Sequence, residues 1–334
     1  MQQDISKKIP MKLLNNGQKM PCIGMGTFGS DKFSPVEVAN AVKGAIEIGY
    51  RLFDCAAVYG NEHLIGEMFE DAVKTGAVSR EELFITSKVW NDKHLEVAPS
   101  LKKSLEDLKV DYVDAYFVHW PFRNYHAPFA KPDDRNPDSK PFSVSEFMET
   151  WHQMEEAFDE GLIKNLGMSN MTLPKLEAVL PLCRIKPTLI EMELHPSFQQ
   201  PELYDYCEKQ GIQTIGFCPI GSPVRPERDR TPDDISDIEI PELVEIAKKH
   251  GVHPAIICLK WSVGKGAVPI PFAVEEEFYT ANLLSTIEAP LTEEEMAILS
   301  TVDKNCRLIK GQVFLWEHAA GWEDLWDLEG VIVK

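Results

Sequence analysis

Residues 83–119 read LFITSKVWNDKHLEVAPSLKKSLEDLKVDYVDAYFVH. Two short apolar runs, Leu83–Lys88 and Asp114–His119, flank a helical segment, Val97–Leu108. A strand, a helix and a second strand in that order make the two strands parallel. A long helical crossover joins parallel neighbours, whereas antiparallel neighbours need only a tight turn.

The same unit repeats on both sides. Toward the N-terminus, Glu62–Asp71 reads as a helix and Tyr50–Asp54 as a strand. Pro35–Ile48 reads as a helix with Ser34 as N-cap and Gly49 as stop. Cys22–Met25 is the first barrel strand, preceded by a short hairpin turning at Asn16-Gly17. Toward the C-terminus, helix Ser143–Glu160, strand Ile163–Met168, helix Met171–Val179 and strand Thr188–Met192 follow. Helix Pro201–Gln210, strand Gln213–Phe217, helices Ile240–His250 and Pro254–Val263, strand Ala267–Ile270 and helix Glu293–Asp303 complete the pattern.

About eight parallel strands alternating with helices predict an α/β fold, a single (β/α)8 barrel of the TIM type. The whole chain, 1–334, is expected to form one domain. The regular barrel spans 11–305, and 306–334 forms a C-terminal loop over the rim. A doubly wound open sheet is the competing architecture; it would want a Gly-rich phosphate turn directly opening a helix, whereas after Gly24-Met25-Gly26-Thr27-Phe28-Gly29 the helix is read only from Pro35.

Composition narrows the partners. The formal charge of −19 over 334 residues argues against a nucleic-acid surface, which needs a basic stripe. No apolar run reaches membrane-spanning length and the start, MQQDISKKIP, has no signal-type core, so a cytoplasmic location is expected. Seven scattered cysteines read as free thiols. His63, His94, His152 and His195 have no compact ligand spacing, so no metal is expected; His195 is read as ordering the loop after the sixth strand. A monomer or weak homodimer is expected.

Three stretches break the rhythm. Phe122–Pro141 and Gly221–Asp237 follow the fourth and seventh strands, on the rim where barrel active sites lie. The first holds Arg123, His126, Asp133, Asp134 and Arg135. The third, Arg307–Lys334, carries Trp316, His318, Trp322 and Trp326, which either cover the barrel or meet a second subunit.

Four titratable residues stand at the C-terminal ends of adjacent strands: Asp54, Tyr59 just beyond it, Lys88 and His119. Their types suit reduction of a carbonyl. Hydride addition makes an alkoxide, which needs a proton. A tyrosine supplies one, although its free pKa of roughly 10 is high. An ammonium beside it, Lys88, would lower that value, and Asp54 would hold the ammonium. His119 would donate a hydrogen bond to the substrate oxygen. Taken singly, each has an ordinary structural reading as a cap, rim residue or strand end; together they make a catalytic set.

From these residues outward the chain resembles the aldo-keto reductase superfamily, especially its aldose reductase branch. The resemblance is carried by LLNNGQKMPCIGMGTF (13–28), EIGYRLFDCAAVYGNE (47–62), REELFITSKVW (80–90), LEDLKVDYVDAYFVHWP (105–121), GLIKNLGMSN (161–170) and ELHP (193–196), and runs from about residue 11 to about residue 305. It implies a tetrad of Asp54, Tyr59, Lys88 and His119 and a nicotinamide cofactor. Ser169 and Asn170 are implied to bond the carboxamide, and Phe217 to stack on the ring. Thr27, Asp54, Glu191, Pro219, Gly221, Ser222, Ile270, Phe272, Ala273 and Asn282 are the further cofactor positions. Phe28, Trp90, His119 and Trp120 line the substrate pocket.

The chain departs from the family pattern in three places. Glu191 stands where the family has glutamine; if ionised it can only accept hydrogen bonds, which would favour the oxidised ring. After the eighth strand, Ile270-Pro271-Phe272-Ala273 replaces an IPKS-type segment, and Phe278 stands where an arginine is expected, with Glu275, Glu276 and Glu277 between. A 2′-phosphate wants charge-assisted donors, and this segment supplies carboxylates. Val224 replaces an acidic clasp residue, so an apolar closure between Val224 and Phe272 is expected. NAD(H) is therefore expected over NADP(H), with Arg225, Arg228 or Arg230 as the route to the opposite preference. The expected substrate is an aldehyde or ketone, with a sugar or polyol favoured. The alternatives are an ordinary NADPH-dependent reductase and a cofactor-sensing subunit without turnover.

Overall fold

A computed structural model describes residues 5–127, 130–131 and 134–328; of the loop residues singled out above, Asp133 lies outside the described residues. The chain opens with a hairpin, β1 (Met11–Leu13) antiparallel to β2 (Lys19–Pro21). Gly17 takes φ 84° in its turn, a conformation that costs glycine little.

Eight parallel strands follow: β3 (Met25–Gly26), β4 (Leu52–Asp54), β5 (Phe84–Val89), β6 (Ala115–Val118), β7 (Leu166–Ser169), β8 (Leu189–Glu193), β9 (Gln213–Phe217) and β10 (Val268–Pro269). They pair in sequence order from β3 to β10. Two backbone bonds join the ends of that row: Gly24 N–H donates to the Pro269 carbonyl at 3.0 Å and Gly26 N–H to Pro271 at 3.1 Å. The sheet is thereby closed into a barrel. Gly24 is forced by packing, since a Cβ there would lie 1.9 Å from the Leu52 side chain.

The helices are α1 (Pro35–Ile48), α2 (Glu62–Lys74), α3 (Val97–Leu108), α4 (Val144–Asp159), α5 (Leu173–Val179), α6 (Pro201–Gln210), α7 (Pro241–His250), α8 (Pro254–Lys265), α9 (Glu276–Leu284) and α10 (Glu293–Ser300). Ser34 and Glu37 form a reciprocal capping box at the start of α1, and Gly49 ends it at φ 122°. Helix α9 escapes a periodicity reading for a physical reason. It is nine residues long and has no side-chain cap; it buries Tyr279, Asn282 and Leu283 while leaving Phe278 exposed.

Two apolar layers hold the barrel. The large one fills the space between strands and helices. The small one lies inside: Leu52, Phe84, Phe117, Leu189, Ile215 and Val268 from the strands, closed from below by Leu14 and Met20 beside and on the hairpin. The barrel axis is thus plugged, and the free end is the one where the strands terminate. A third cluster lies over that end. Trp120 and Phe122 pack there with Val313, Phe314, Leu315, Leu325 and Trp326 of the C-terminal segment.

Two pins fix that segment. Lys175 Nζ, buried on α5, meets Asp327 Oδ2 at 2.6 Å and donates to the Leu325 carbonyl at 2.7 Å. Glu193, at the end of β8, accepts the backbone N–H groups of Leu308 and Ile309 at 2.6 and 2.9 Å. Trp326 is buried and Trp316 and Trp322 are half-buried, so the tail aromatics cover the rim.

Candidate active site

The ladder places the four strand-end residues in one spot. Asp54 ends β4, in register with Thr86 of β5. Lys88 is two residues further along β5, on the same face, and is fully buried. Its ammonium donates to both Asp54 oxygens at 2.6 Å and to the Cys55 carbonyl at 3.1 Å. Thr86 Oγ1 gives Asp54 another hydrogen bond at 2.6 Å. Tyr59 is returned over this pair by a 3-10 turn, Ala57–Tyr59, which Gly60 ends at φ 68°. The Lys88 ammonium lies 5.4 Å from the centre of the Tyr59 ring, and its charge acts on the phenol. His119 follows β6, its ring 5.9 Å from that of Tyr59 and edge-on to it.

The protonation states follow from burial and these contacts. Burial works to deprotonate Lys88, but Asp54, Glu191 and Tyr59 outweigh it and hold the ammonium charged. Burial pushes Tyr59 above the ordinary tyrosine range, with Lys88 opposing. This corrects the sequence expectation of a net lowered phenol. The ammonium lowers the value as argued, yet loss of water contacts costs the phenolate more. Tyr59 is therefore a protonated acid at neutral pH. Burial, then Lys88 and His94, keep His119 neutral, and its Nδ1 has no hydrogen-bond partner among the described residues. A neutral imidazole with an unused nitrogen suits orienting an oxygen rather than carrying charge.

Above these residues opens a cavity of about 1030 Å³. Phe28, Asp54, Tyr59, Trp90, His119 and Trp120 line it. Thr27, Ser169, Asn170, Glu191 and Phe217 line the neighbouring arc, and Pro219, Ser222, Ile270, Phe272, Ala273 and Asn282 continue it outward. Gly221 does not line the cavity; it forms a turn in the loop after β9, a strap across the rim, at φ 72°, where a Cβ would lie 2.6 Å from the Asp237 carboxylate. Lys88 also stays out of the cavity, beneath Tyr59. Trp120 has a double role, since its ring packs 4.7 Å from Phe314 in the tail cluster.

The lining fits a nicotinamide nucleotide. Asn170 is held at φ 57°, its amide donating to the His119 carbonyl at 2.9 Å, while its Oδ1 accepts nothing although buried. Glu191 Oε2, likewise buried, has only the Lys88 ammonium at 3.4 Å among the described residues. Spare hydrogen-bonding capacity at Asn170 and Glu191, in the same cavity as the aromatic ring of Phe217, is what an aromatic ring bearing an amide requires.

Sequence reasoning missed part of the rim. Val313, Phe314 and Ile309 of the tail line the cavity, as do Phe33, Asp31 and Asp229. The closure also differs from expectation. Phe272 packs edge-on against Phe33 at 5.6 Å, and the loop after β9 is tied across to the loop after β3 by an ion pair of Arg228 and Asp31. Arg225 is buried against Asp234, and Arg230 donates to the Pro223 carbonyl at 2.7 Å. All three arginines offered for a phosphate are thus engaged within the rim.

His195 sits where the loop reading put it. It is fully buried, with Nε2 3.0 Å from Glu193 and Nδ1 2.7 Å from Asp237. Burial opposes its charge, but the two carboxylates raise its pKa to about 9. Among the described residues, no cluster of three His, Cys, Asp or Glu side chains is placed to hold a metal. No described helix is long and apolar enough to cross a membrane.

Comparison with known proteins accords with this geometry. The model of the Aldo/keto reductase family matches residues 22–304. The chain belongs to the aldo/keto reductase family. Among the relatives of this aldo/keto reductase, aldo-keto reductase family 1 member A1 of Gallus gallus is 40% identical over 303 residues, covering 89% of each chain. An aldo/keto reductase of Synechocystis is 37% identical over 321 residues, covering 94% of this chain and 95% of its own. The crystal structure of a Bombyx mori aldo-keto reductase in complex with NADP superimposes with a TM-score of 0.78 at 32% identity, covering 90% of this chain and 95% of that one. As a member of this family the protein is an oxidoreductase that acts on carbonyl groups with a nicotinamide cofactor.

Proposed function

We propose that the protein reversibly reduces an aldehyde or ketone to an alcohol, with Tyr59 as the proton donor and NAD(H) as the preferred cofactor. When bound, the nicotinamide supplies or takes up the hydride. Tyr59 gives its hydroxyl proton to the carbonyl oxygen as negative charge develops there, and takes it back in the oxidation direction. Lys88, held by Asp54, stabilises the phenolate left behind. His119 donates a hydrogen bond to the same oxygen and fixes which face is presented. Ser169, Asn170 and Glu191 would hold the carboxamide, and Phe217 the ring face. Phe28, Trp90 and the rim aromatics exclude water.

The observation that carries the NAD preference is the 272–278 segment. Phe272 faces Phe33, Ala273 is buried and apolar, and Glu275 and Phe278 line the cavity. The start of α9 favours an anion through its dipole, but Glu275, Glu276 and Glu277 crowd that start with like charge. A ribose diol is accommodated there at less cost than a phosphate. The rival reading is an NADPH-dependent reductase, favoured by the NADP bound in the Bombyx mori relative. A sensor without turnover would not need the intact Asp54–Lys88–Tyr59–His119 arrangement.

For the substrate, aromatic faces at Trp90 and Phe314 stand beside the polar groups of His126 and Asp229, whose carboxyl burial raises to about 6. That mixture suits a polyhydroxy aldehyde, whose hydroxyls need partners and whose C–H faces stack on rings. One chain carries every proposed group, consistent with a single barrel domain over 1–334 acting as a monomer or weak homodimer. Titration with NADH and with NADPH, read by quenching of tryptophan fluorescence, tests the cofactor assignment. NADH binding more tightly is the expected result; NADPH binding tenfold more tightly or better would overturn it.

A further inference from the structure

We propose that Glu191 keeps a proton when the cofactor is absent or reduced and releases it to solvent when the oxidised cofactor binds, so that pH sets the balance between the two redox forms on the protein. The inference rests on the nicotinamide reading above.

Glu191 Oε2 lies 3.4 Å from Lys88 Nζ. That ammonium already donates to both oxygens of Asp54. Two carboxyl groups therefore share one cation, and all three side chains are buried. With both carboxyls ionised the cluster would carry an uncompensated charge out of water, which is costly. One retained proton removes it. Asp54 is the better-solvated carboxylate, with Lys88 on both oxygens and Thr86 on one. Glu191 Oε2 has only that longer contact with Lys88 among the described residues, and Glu191 lines the cavity. The proton therefore belongs on Glu191.

The neighbours on every side agree. From β4 comes Asp54, from β5 Lys88, and from the turn after β4 the phenol of Tyr59. Strand β7 contributes uncharged Ser169 in register, with Asn170 next to it, and β9 contributes Ile215. Glu193, two residues on, is matched by His195. Burial, then the nearness of Asp54, push the Glu191 carboxyl up to about 8, with Lys88 opposing.

A protonated carboxyl offers one O–H donor and one acceptor oxygen, as a primary amide offers an N–H and an oxygen. Glu191 in that form meets a carboxamide on both counts, as the family's glutamine would. A positively charged ring alongside favours the carboxylate instead. The change is –COOH to –COO⁻ plus H⁺ into solvent, with no electron transferred. Since the oxidised form binds with proton loss, its affinity rises with pH, while that of the neutral reduced form does not.

The experiment measures dissociation constants for NAD⁺ and NADH by tryptophan quenching from about pH 6 to about pH 8.5, for wild type and Glu191→Gln. The phosphorylated pair is substituted if that pair binds more tightly. The proposal expects the oxidised-to-reduced ratio of dissociation constants to fall roughly tenfold across that range in wild type and to stay flat in E191Q. Calorimetry of NAD⁺ binding to wild type in two buffers of different ionisation enthalpy should show proton release. A flat wild-type ratio without proton release overturns the inference, whatever the variant does. A slope that survives in folded E191Q overturns it too, since another group would be titrating. Binding of neither redox form at any pH overturns both this inference and the cofactor reading beneath it.

Discussion

The floor of the site and its rim are built on different principles. The floor is strand-borne: Asp54 and Lys88 sit on neighbouring strands, Tyr59 follows β4 within a few residues and His119 follows β6 directly. Their positions follow from register and alternation. The rim is loop-borne. Arg228 meets Asp31 across 197 residues of sequence, Phe272 meets Phe33, and Glu193 catches the backbone of a tail 115 residues away. Under the proposed function the floor fixes the chemistry and the rim decides which cofactor and substrate reach it. The departures that the family resemblance implies lie mostly at the rim, and for the one in the floor, Glu191, the proposed compensation is a proton rather than another side chain.

The harshest test of the floor is Tyr59→Phe. It should lower kcat by roughly a hundred- to ten-thousandfold while leaving the cofactor dissociation constant within about twofold, since Tyr59 gives a proton and is not assigned to cofactor binding. Turnover within a few-fold of wild type would remove the proposed acid.

A second prediction separates the scaffold from both regions. His195 has a raised folded pKa of about 9, against roughly 6.5 unfolded. A base with a raised pKa contributes stability fully below its unfolded value and loses that contribution as pH rises through the folded one. Urea unfolding should therefore show about 3 kcal/mol of stability disappearing between about pH 6.5 and pH 9. His195→Gln should flatten that part of the curve, and also loosen the tail that Glu193 holds.

The rim's control of cofactor choice is tested by Phe272→Lys, Ala273→Ser and Phe278→Arg together. Charge-assisted hydrogen bonds of about 1.5–3 kcal/mol each should raise NADPH affinity by tenfold or more, with NADH affinity little changed. An unmoved preference would mean that another part of the rim selects the cofactor. The smallest effect is expected from Arg228→Ala. The pair with Asp31 is partly exposed, so global stability should change by less than about 1 kcal/mol. The strap it ties should open more easily, giving a severalfold faster cofactor release in stopped flow.

Reading the sequence succeeded where geometry is local and failed where it is not. Helices α1 and α6 fall at the expected residues because proline and glycine mark their ends, with Ser34 also capping α1. Strands β3 and β10 proved shorter than read, since an apolar run continues beyond the few residues that pair. Helix α9 was hidden because its buried and exposed apolar residues do not form one stripe. The direction of the Tyr59 shift was misjudged because burial cannot be summed from neighbours along the chain.

By itself the sequence determined the parallel alternation, the rim at which the strands end and the four side chains that meet there, because the order of strands and helices is written in local periodicity. Only the tertiary structure decided how the barrel is roofed, which arginine bridges the mouth and whether Glu191 carries charge. Those outcomes depend on distances between loops far apart in the chain and on how much water each group loses. Neither quantity is written in local sequence.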